Sequence, residues 1–399
     1  MIDTSWDTAR EKAHALGQSI KRDPEMVALH RAGGRTLAQD IVARYPIPHC
    51  ATSAMDGYAA AGEGPWAILE EHATNPAEDA STSLSAGQAV AVVTGSQIPP
   101  GAQLILRSED VTAKNSILTA NYIPAPGSDI RPAGTEALAG DILAARGTRL
   151  RAGVVATAAV AGYDELLVTS EPKVFCIYTG DEVITRGTPN PGQVRDGFSP
   201  VLPLIIESLG GQATGSARIG DSLEETIAAF SSPAALEAQI IVTTGGTGFS
   251  ARDFIRRAVA ELGGVESISS ISMRPGHPTM VATLEDQRVL IALPGNPLAA
   301  LMAIATVLDP LLRGMNGSAI ATLGTGISAK SMPALPGRHR LIPASWVPSK
   351  TPNAPDELVR AEHVGSAMLR GLSGAHVILV VPPQGVQSGS PVPYLELPW

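Results

Sequence analysis

Regular alternation is the feature that most constrains this chain. From about residue 172 to residue 317, apolar runs of strand length each precede a stretch with helical spacing, and Gly-rich turns separate them. The three clearest runs are KVFCIYTG, QIIVTTGGTG and RVLIALPGNP. Continuous apolar runs are typical of strands buried on both faces, and such strands alternate with helices in parallel α/β sheets. The pattern therefore predicts a parallel-sheet α/β domain over residues 172–317.

The rest of the chain has a different texture, with short elements divided by many of its 40 Gly and 32 Pro residues. Residues 44–136 carry short β-rich runs and are predicted to form a β-rich domain II. This module interrupts a small helical domain I, made of residues 1–43 and 137–171. Residues 318–399 are predicted to form a β domain IV with one short helix near residues 367–372. The α/β domain is then domain III, and the fold class is α/β plus β.

Composition excludes several classes of protein. The 399 residues are 44% hydrophobic and 17% charged, which is typical of a globular chain. A formal net charge of −9 argues against a nucleic-acid-binding protein. Two cysteines cannot build a disulfide framework or a four-ligand zinc site. The N-terminus has no apolar signal core, and the most apolar helical stretch, residues 297–312, is too short to span a bilayer. We expect a soluble cytoplasmic protein that binds no membrane.

Three polar loops follow strands of the predicted sheet: YTGDE, TTGGTGFSARD and LPGNP. Ligands of open α/β sheets bind outside the carboxyl ends of the strands. The backbone N–H groups of Gly245, Gly246 and Gly248, followed by a helix start, predict a phosphate site. The alternative is that each loop is an ordinary structural turn.

Two carboxylates, Asp181 and Glu182, accompany the first of these loops. Beside a phosphate, carboxylates commonly hold Mg²⁺, which then contacts the phosphate oxygens. A helix cap or a surface turn is the alternative interpretation of this pair.

Another candidate anion site is SMRPGHPTMVA, in which Arg274 and His277 flank a Pro-Gly turn. A guanidinium and an imidazole at this spacing can bind an oxyanion. An exposed hairpin turn explains the same residues equally well.

The β-rich region contains the stretch HCATSAMDGYA, in which Asp56 precedes Gly57. Asp often ties a turn through its own backbone, so Asp56 is either a turn residue or an acid held for chemistry. The later stretch GSDIRPAGTE offers Arg131 as an anion ligand and Asp129 and Glu136 as acids.

Taken in order, SAMDGYA, VTG, IRPAG, TGDE, TTGGTG, RPGHP and LPGNP resemble the motifs of the molybdopterin molybdenumtransferase family, the MoeA type, which is related to the E domain of gephyrin. The resemblance spans nearly the whole chain. It implies an enzyme that inserts molybdate into adenylylated molybdopterin with the help of Mg²⁺ and releases AMP and molybdenum cofactor.

The resemblance also implies an assembly. The expected subunit is elongated and has four domains, and two subunits form a homodimer whose ligand site lies between domain III of one and domain II of the other. Expected partners are a molybdopterin adenylyltransferase, and molybdoenzyme apoproteins or cofactor-maturation proteins.

Site residues carry over position by position. The implied catalytic acids are Asp56, Asp181 and Glu136, and the implied metal ligands are Asp181 and Asp221. The resemblance places Thr94, Arg131, Pro294 and Pro297 on functional positions of the family. The other predicted substrate-binding residues belong to the loops and the turn described above: Thr179, Gly180, Gly245, Gly246, Thr247, Gly248, Asp253, Arg274, His277, Gly295 and Asn296.

The chain departs from the family pattern at several positions. Asp129 stands where the family usually has Asn, Glu136 stands where it has Asp, and Arg274 and His277 replace two lysines. Since neutral His carries no charge, molybdate binding is expected to be weaker or steeper with pH. The loop TTGGTGFSARD looks more like that of the partner adenylyltransferase, which is the alternative function. A non-catalytic, gephyrin-like scaffold is a second alternative.

Overall fold

A computed structural model describes residues 3–69, 83–247, 254–349 and 355–399. Two predicted binding residues, Gly248 and Asp253, lie outside these ranges. The chain divides into two compact units, each described by itself. We call Met1–Glu25, Gly34–Thr36 and Thr169–Trp399 the C-terminal unit, and Met26–Gly33 with Leu37–Val168 the inserted unit.

The α-helices of the described residues are α1 (Trp6–Ser19), α2 (Ala152–Val160), α3 (Leu202–Ser208), α4 (Leu223–Phe230), α5 (Pro233–Leu236), α6 (Phe254–Glu261), α7 (Pro297–Ala303) and α8 (Asp309–Met315). A π-helical segment, Ile304–Leu308, joins the last two.

The strands of the same residues are β1 (Pro24–Ala28), β2 (Ile41–Val42), β3 (Thr52–Ser53), β4 (Gly57–Ala61), β5 (Trp66–Leu69), β6 (Gln88–Val92), β7 (Leu104–Arg107), β8 (Val111–Lys114), β9 (Ile117–Ala120), β10 (Ile130–Arg131), β11 (Ile142–Ala144), β12 (Glu165–Thr169), β13 (Lys173–Thr179), β14 (Val183–Ile184), β15 (Val194–Arg195), β16 (Gln212–Ile219), β17 (Ile240–Thr244), β18 (Val265–Ile268), β19 (Met273–Arg274), β20 (Met280–Thr283), β21 (Val289–Leu293), β22 (Gly324–Ser328), β23 (His339–Val347), β24 (Glu357–Arg360), β25 (Val377–Val381) and β26 (Pro391–Glu396).

The inserted unit is built on a six-stranded sheet with the order β7-β4-β6-β5-β9-β8. Its pairs are antiparallel except β5 with β6. The alternating side chains of these strands fill a small apolar core on each face. A short antiparallel ladder beside the sheet places Thr52 of β3 opposite Arg131 of β10. This region is β-rich, as its sequence predicts.

The C-terminal unit contains a second six-stranded sheet, with the order β16-β13-β17-β21-β20-β18. The first four strands run parallel, as predicted, but β20 and β18 run antiparallel to their neighbours. The sheet is therefore mixed, with a parallel part, as predicted, and two antiparallel strands that the sequence pattern did not predict. A tight turn at residues 284–288 joins β20 to β21, and a connection that short can only join antiparallel strands.

Helices cover both faces of this sheet. Side chains of α1, α3, α7 and α8 form one apolar core with it, and side chains of α4, α5 and α6 form the other. Helix α1 packs on α8 at two glycines. A Cβ on Gly17 would overlap the carbonyl oxygen of Leu311, and one on Gly314 would overlap that of His14. The N-terminal helix thus folds with the C-terminal unit. The four predicted domains divide the chain more finely than the two units and stay a prediction.

The helix that runs through Pro297–Met315 is long and apolar enough, by length and composition alone, to cross a membrane. It is 94% buried inside the C-terminal unit. Its apolar side chains contact the sheet and α1, which is the environment of a core helix.

The end of the chain forms a third six-stranded sheet, β19-β23-β24-β22-β26-β25, in which β23 also pairs with β25. The short helix expected near residues 367–372 is wrong, since turns occupy this stretch. Gly371 lies so close to the backbone that a Cβ there would overlap the carbonyl oxygen of Glu362. Glycine is therefore the residue that fits this close approach of two turns.

Candidate functional site

A cavity of about 710 Å³ opens at the carboxyl edge of the α/β sheet. Strands β13, β17 and β21 are adjacent and parallel, so the loops that follow them meet at one edge. Predicted residues from four chain segments line the cavity: Thr179, Gly180, Asp221, Gly245, Gly246, Thr247, Pro294, Gly295, Asn296 and Pro297. The structure brings together the loops that the strand pattern predicted.

Glycines shape the floor of this cavity. Gly245 and Gly246 have φ values of +86° and +65°. A Cβ on Gly245 would lie 2.6 Å from Oγ1 of Thr179, and one on Gly246 would lie 2.7 Å from Cγ1 of Ile255. The Gly245 N–H donates to the carbonyl oxygen of Leu293 at 2.9 Å, so it does not face an anion as expected. Of the described loop residues, Gly246 and Thr247 are left as backbone donors.

The carboxylate of Asp181 lies beside Gly220, just after the end of β16. The Oδ1 atom of Asp181 is 2.9 Å from the position that a Cβ on Gly220 would take, and Asp221 follows directly. Asp221 lines the cavity, whereas the exposed Asp181 does not; its neighbour Glu182 does. Within the described ranges, no group of three or more His, Cys, Asp or Glu side chains could hold a metal ion.

Magnesium nevertheless suits this donor set. Mg²⁺ is commonly bound by one or two carboxylates together with substrate phosphates and water. Asp221 in the cavity lining and Asp181 beside Gly220 offer two carboxylates, so the donor set fits that ion.

Two arginines in the lining, Arg195 and Arg218, are absent from the sequence predictions. Arg218 forms an ion pair with the buried carboxylate of Asp196. One feature of the sequence could have indicated a role for Arg218 in the site. It is the next-to-last residue of β16, an edge strand, and stands three residues before Asp221.

The predicted anion pair Arg274 and His277 is not part of the cavity lining, although Pro278 is. Arg274 is exposed. The Nε2 atom of His277 lies 2.9 Å from Oδ2 of Asp3, whose Oδ1 accepts from Oγ of Ser270 at 2.6 Å. The hydrogen bond from Ser270 has the largest effect on the pKa of Asp3 and lowers it. Burial acts in the opposite direction, and the contact with His277 lowers the pKa further. His277 therefore holds the N-terminal segment.

In the inserted unit, Asp56 contacts the loop that contains Thr94. Its Oδ1 accepts from the Thr94 backbone N–H at 2.6 Å and from the Thr94 hydroxyl at 2.8 Å. Both bonds lower the pKa of the exposed Asp56 carboxyl, and the bond from the backbone N–H has the larger effect. The side chain thus joins two loops instead of closing its own turn. The next residue must be glycine, because a Cβ on Gly57 would overlap the carbonyl oxygen of Leu106.

A second cavity, of about 570 Å³, lies in the inserted unit. Arg131 and Glu136 line it together with Thr52 and His49. Both predicted side chains are exposed. The third acid of this stretch, Asp129, is an ion-pair partner: Nε and Nη2 of Arg107 donate to its carboxylate at 2.8 and 3.1 Å. The hydrogen bond from Arg107 lowers the pKa of Asp129 and outweighs burial. The Asp found where the family usually has Asn therefore balances a local arginine.

Comparison with known proteins agrees with both units. The family profile of the MoeA N-terminal region, which comprises domains I and II, matches residues 4–162. The profile of a probable molybdopterin binding domain matches residues 175–314.

Relatives match over most of their own length. A molybdopterin molybdenumtransferase of Synechococcus elongatus is 31% identical over 360 residues, which cover 85% of this chain and 89% of the relative. A molybdopterin molybdenumtransferase of a Nostoc species is 30% identical over 319 residues, which cover 75% of this chain and 71% of the relative. The solved structure of the molybdopterin biosynthesis MoeA protein from Pyrococcus horikoshii has a similar fold, with a TM-score of 0.78 at 23% identity over 99% of this chain and 100% of that one. The chain belongs to the molybdopterin molybdenumtransferase family.

Proposed function

We propose that this protein inserts molybdate into adenylylated molybdopterin and releases AMP, which completes molybdenum cofactor. The observation that carries the proposal is the 710 Å³ cavity, where ten of the predicted residues from four chain segments meet. A cavity of this size at the carboxyl edge of a parallel sheet suits a pterin-sized ligand.

Each group in the cavity has a chemical role in this proposal. The backbone donors of Gly246 and Thr247 bind phosphate oxygens, since N–H groups after a strand favour anions. Asp181 and Asp221 would hold Mg²⁺, which would neutralise phosphate charge. Pro294 and Pro297 also line the cavity, and neither has a backbone N–H donor of its own.

The inserted unit supplies the acid Asp56, whose low pKa keeps it ionised at neutral pH. A fixed negative charge can orient a cation or a proton donor near the reacting oxygens. Arg131 and Glu136 provide a cation and an acid in the second cavity, where we place molybdate handling.

The assembly is part of the same proposal. We propose four domains with the boundaries given above, a homodimer, a cytoplasmic location, and contacts with molybdopterin adenylyltransferase and with cofactor-accepting proteins. Sedimentation velocity at several protein concentrations tests the dimer, and a monomer throughout the range would refute it.

One assay separates this function from the alternatives. Purified protein is given adenylylated molybdopterin, molybdate and Mg²⁺, and we expect AMP and molybdenum cofactor to appear together. With ATP and molybdopterin instead, an adenylyltransferase would release pyrophosphate. A gephyrin-like scaffold would bind molybdopterin and release neither product. Pyrophosphate without AMP release would overturn the proposal.

A further inference from the structure

We propose that Arg218 and the hydroxyl of Tyr178 together bind the phosphate group of the pterin substrate, and that Asp196 is the residue that positions Arg218. This inference rests on the proposed function, because it assigns residues to one group of that substrate. Three observations carry it: the register of two strands, a buried carboxylate and an unpartnered hydroxyl.

The first observation is that Arg218 and Tyr178 are partners across neighbouring parallel strands. They occupy the same register position on β16 and β13, next to the carboxyl ends of both strands. The guanidinium carbon of Arg218 lies 5.4 Å from the centre of the Tyr178 ring, and both residues line the cavity. The ring therefore supports the guanidinium on this wall of the cavity.

The second observation is that Asp196 holds Arg218 in place. Asp196 accepts from the backbone N–H groups of Phe198 and Ser199 at 2.8 and 3.1 Å and from the Ser199 hydroxyl at 2.5 Å. Its side chain is only 3% exposed, and it also accepts from Nη2 of Arg218. Burial opposes ionisation, but the bonds from Ser199 and Phe198 and the Arg218 charge lower the Asp196 pKa. The ionised carboxylate thus fixes one edge of the guanidinium.

A guanidinium has five N–H donors, and Asp196 engages only one nitrogen of Arg218. The remaining N–H donors of Arg218 are available for a second anion. The side chain is 31% exposed and lines the cavity, so an anion in the cavity can reach these donors. Planar donors of this kind bind phosphate oxygens in pairs.

The third observation is the hydroxyl of Tyr178. The residue is 4% exposed and lines the cavity. Its hydroxyl has no oxygen or nitrogen hydrogen-bond partner among the described residues, and the neighbouring Cys176 thiol is only a weak partner. Buried polar atoms nearly always have a partner, so an orphan at a cavity wall points to a ligand. Burial and then the neighbouring Cys176 thiol raise the Tyr178 pKa, so the hydroxyl keeps its proton and can donate it to an acceptor.

A phosphate fits this wall better than a neutral group. It offers several acceptor oxygens to one charged and one neutral donor. Asp221, which would hold Mg²⁺, lines the same cavity as Arg218, and this ion commonly binds carboxylates together with substrate phosphates. Arg195, the other arginine of the lining, donates to the carbonyl oxygen of Ile184 at 3.2 Å and is more exposed.

The test compares two ligands, molybdopterin and molybdopterin from which a phosphatase has removed the phosphate. Both are titrated by calorimetry under anaerobic conditions into the full chain, with Mg²⁺ present. The variants are Arg218→Gln and Tyr178→Phe, and Arg186→Gln, an exposed arginine outside the lining, is the matched control.

We expect Arg218→Gln to weaken binding of the phosphorylated ligand on the order of 10- to 100-fold, and Tyr178→Phe by about 3- to 10-fold. Binding of the dephosphorylated ligand should change less than about twofold in every variant, and Arg186→Gln should leave both affinities unchanged. Arg218→Lys should recover part of the affinity, because it keeps the charge but not the paired donors.

Equal losses for the two ligands, or no loss for either, would overturn the inference and leave Arg218 and Tyr178 with a structural role only. Tyr178→Phe removes one oxygen and keeps the ring, so it decides the matter even where Arg218→Gln disturbs the fold around Asp196. Wild-type protein that binds neither ligand would instead refute the proposed function, and the inference would fall with it.

Discussion

The two units arrange their candidate residues in contrasting ways. The C-terminal unit gathers ten predicted residues into one cavity, because parallel strands end at a common edge. The inserted unit divides its residues between two places: Asp56 with Thr94, and a cavity that contains Arg131 and Glu136. An antiparallel sheet has no shared edge of that kind, since its loops alternate between the two ends.

This difference separates topology from local bonding. In the C-terminal unit, the position of a loop follows from the order of the strands, and backbone groups provide much of the binding surface. In the inserted unit, position depends on individual side-chain bonds, such as the two that Thr94 donates to Asp56. Substitutions of Asp56 and Thr94 should therefore act through charge and those bonds, whereas substitutions of the glycines that line the C-terminal cavity should act through shape.

The largest effect is expected for Asp56→Asn. The amide keeps the size of the side chain but removes the charge, so AMP release should fall on the order of 100-fold or more. The thermal unfolding midpoint should stay close to that of the wild type, since the side chain is exposed. Asp164→Asn, another exposed carboxylate of the inserted unit, is the control and should retain full activity. Normal turnover in Asp56→Asn would reduce Asp56 to a loop connector.

Gly57→Ala should mainly change stability. Its Cβ would overlap the carbonyl oxygen of Leu106 in the neighbouring strand, where the backbone has little room to move. We expect the free energy of unfolding of the inserted unit to drop by about 2 kcal/mol or more, and urea denaturation measures this change.

Gly153→Ala is the matched control for that substitution. Gly153 lies in α2 and has open space where a Cβ would be, so alanine should be neutral or stabilise the helix by up to about 1 kcal/mol. Equal stability changes at the two glycines would show that the close approach of β4 and β7 at Gly57 does not matter.

Gly295→Ala probes the shape of the C-terminal cavity. The new Cβ would lie 3.5 Å from Cα of Gly245, an ordinary contact, so the fold should be unaffected. The methyl group enters the lining, and we expect molybdopterin affinity to fall about tenfold at an unchanged unfolding midpoint. Gly245→Ala should lower both the molybdopterin affinity and the unfolding midpoint, because its Cβ would overlap Oγ1 of Thr179 and its φ is positive. Unchanged affinity in Gly295→Ala would place the ligand away from this loop.

The smallest effect is expected for Thr94→Val, which removes the hydroxyl donor to Asp56 and keeps the backbone donor. The hydroxyl bond helps to lower the Asp56 pKa, so its loss should raise that pKa towards the ordinary value. If ionised Asp56 is the active form, activity is lost as the pH falls through this pKa. The acid limb of the pH–rate profile should then move to higher pH in Thr94→Val and stay in place in Thr94→Ser. Superimposable profiles for all three proteins would contradict this link.

Sequence patterns predicted the central strands of the α/β sheet, the helices that follow them, and the loops that line the cavity. They failed where a short connection decided strand direction, as between β20 and β21, and at residues 367–372, where turns replace the expected helix. They did not predict the contact of the His277 imidazole with Asp3, near the start of the chain, and the anion-binding role of His277 stays a prediction. The catalytic and binding roles of the site residues stay predictions.

What the sequence determined by itself was local: strand and helix periodicity, the places of glycine-rich turns, and a motif order specific enough to indicate the family. The tertiary structure alone decided the pairing of Arg218 with Asp196 and Tyr178, the contact of His277 with Asp3, and the packing of α1 on α8. The physical reason is that periodicity reports only which face of an element is apolar. Which polar side chains then meet depends on strand order and on the close packing of helices, and these bring together residues that are up to hundreds of positions apart in the chain.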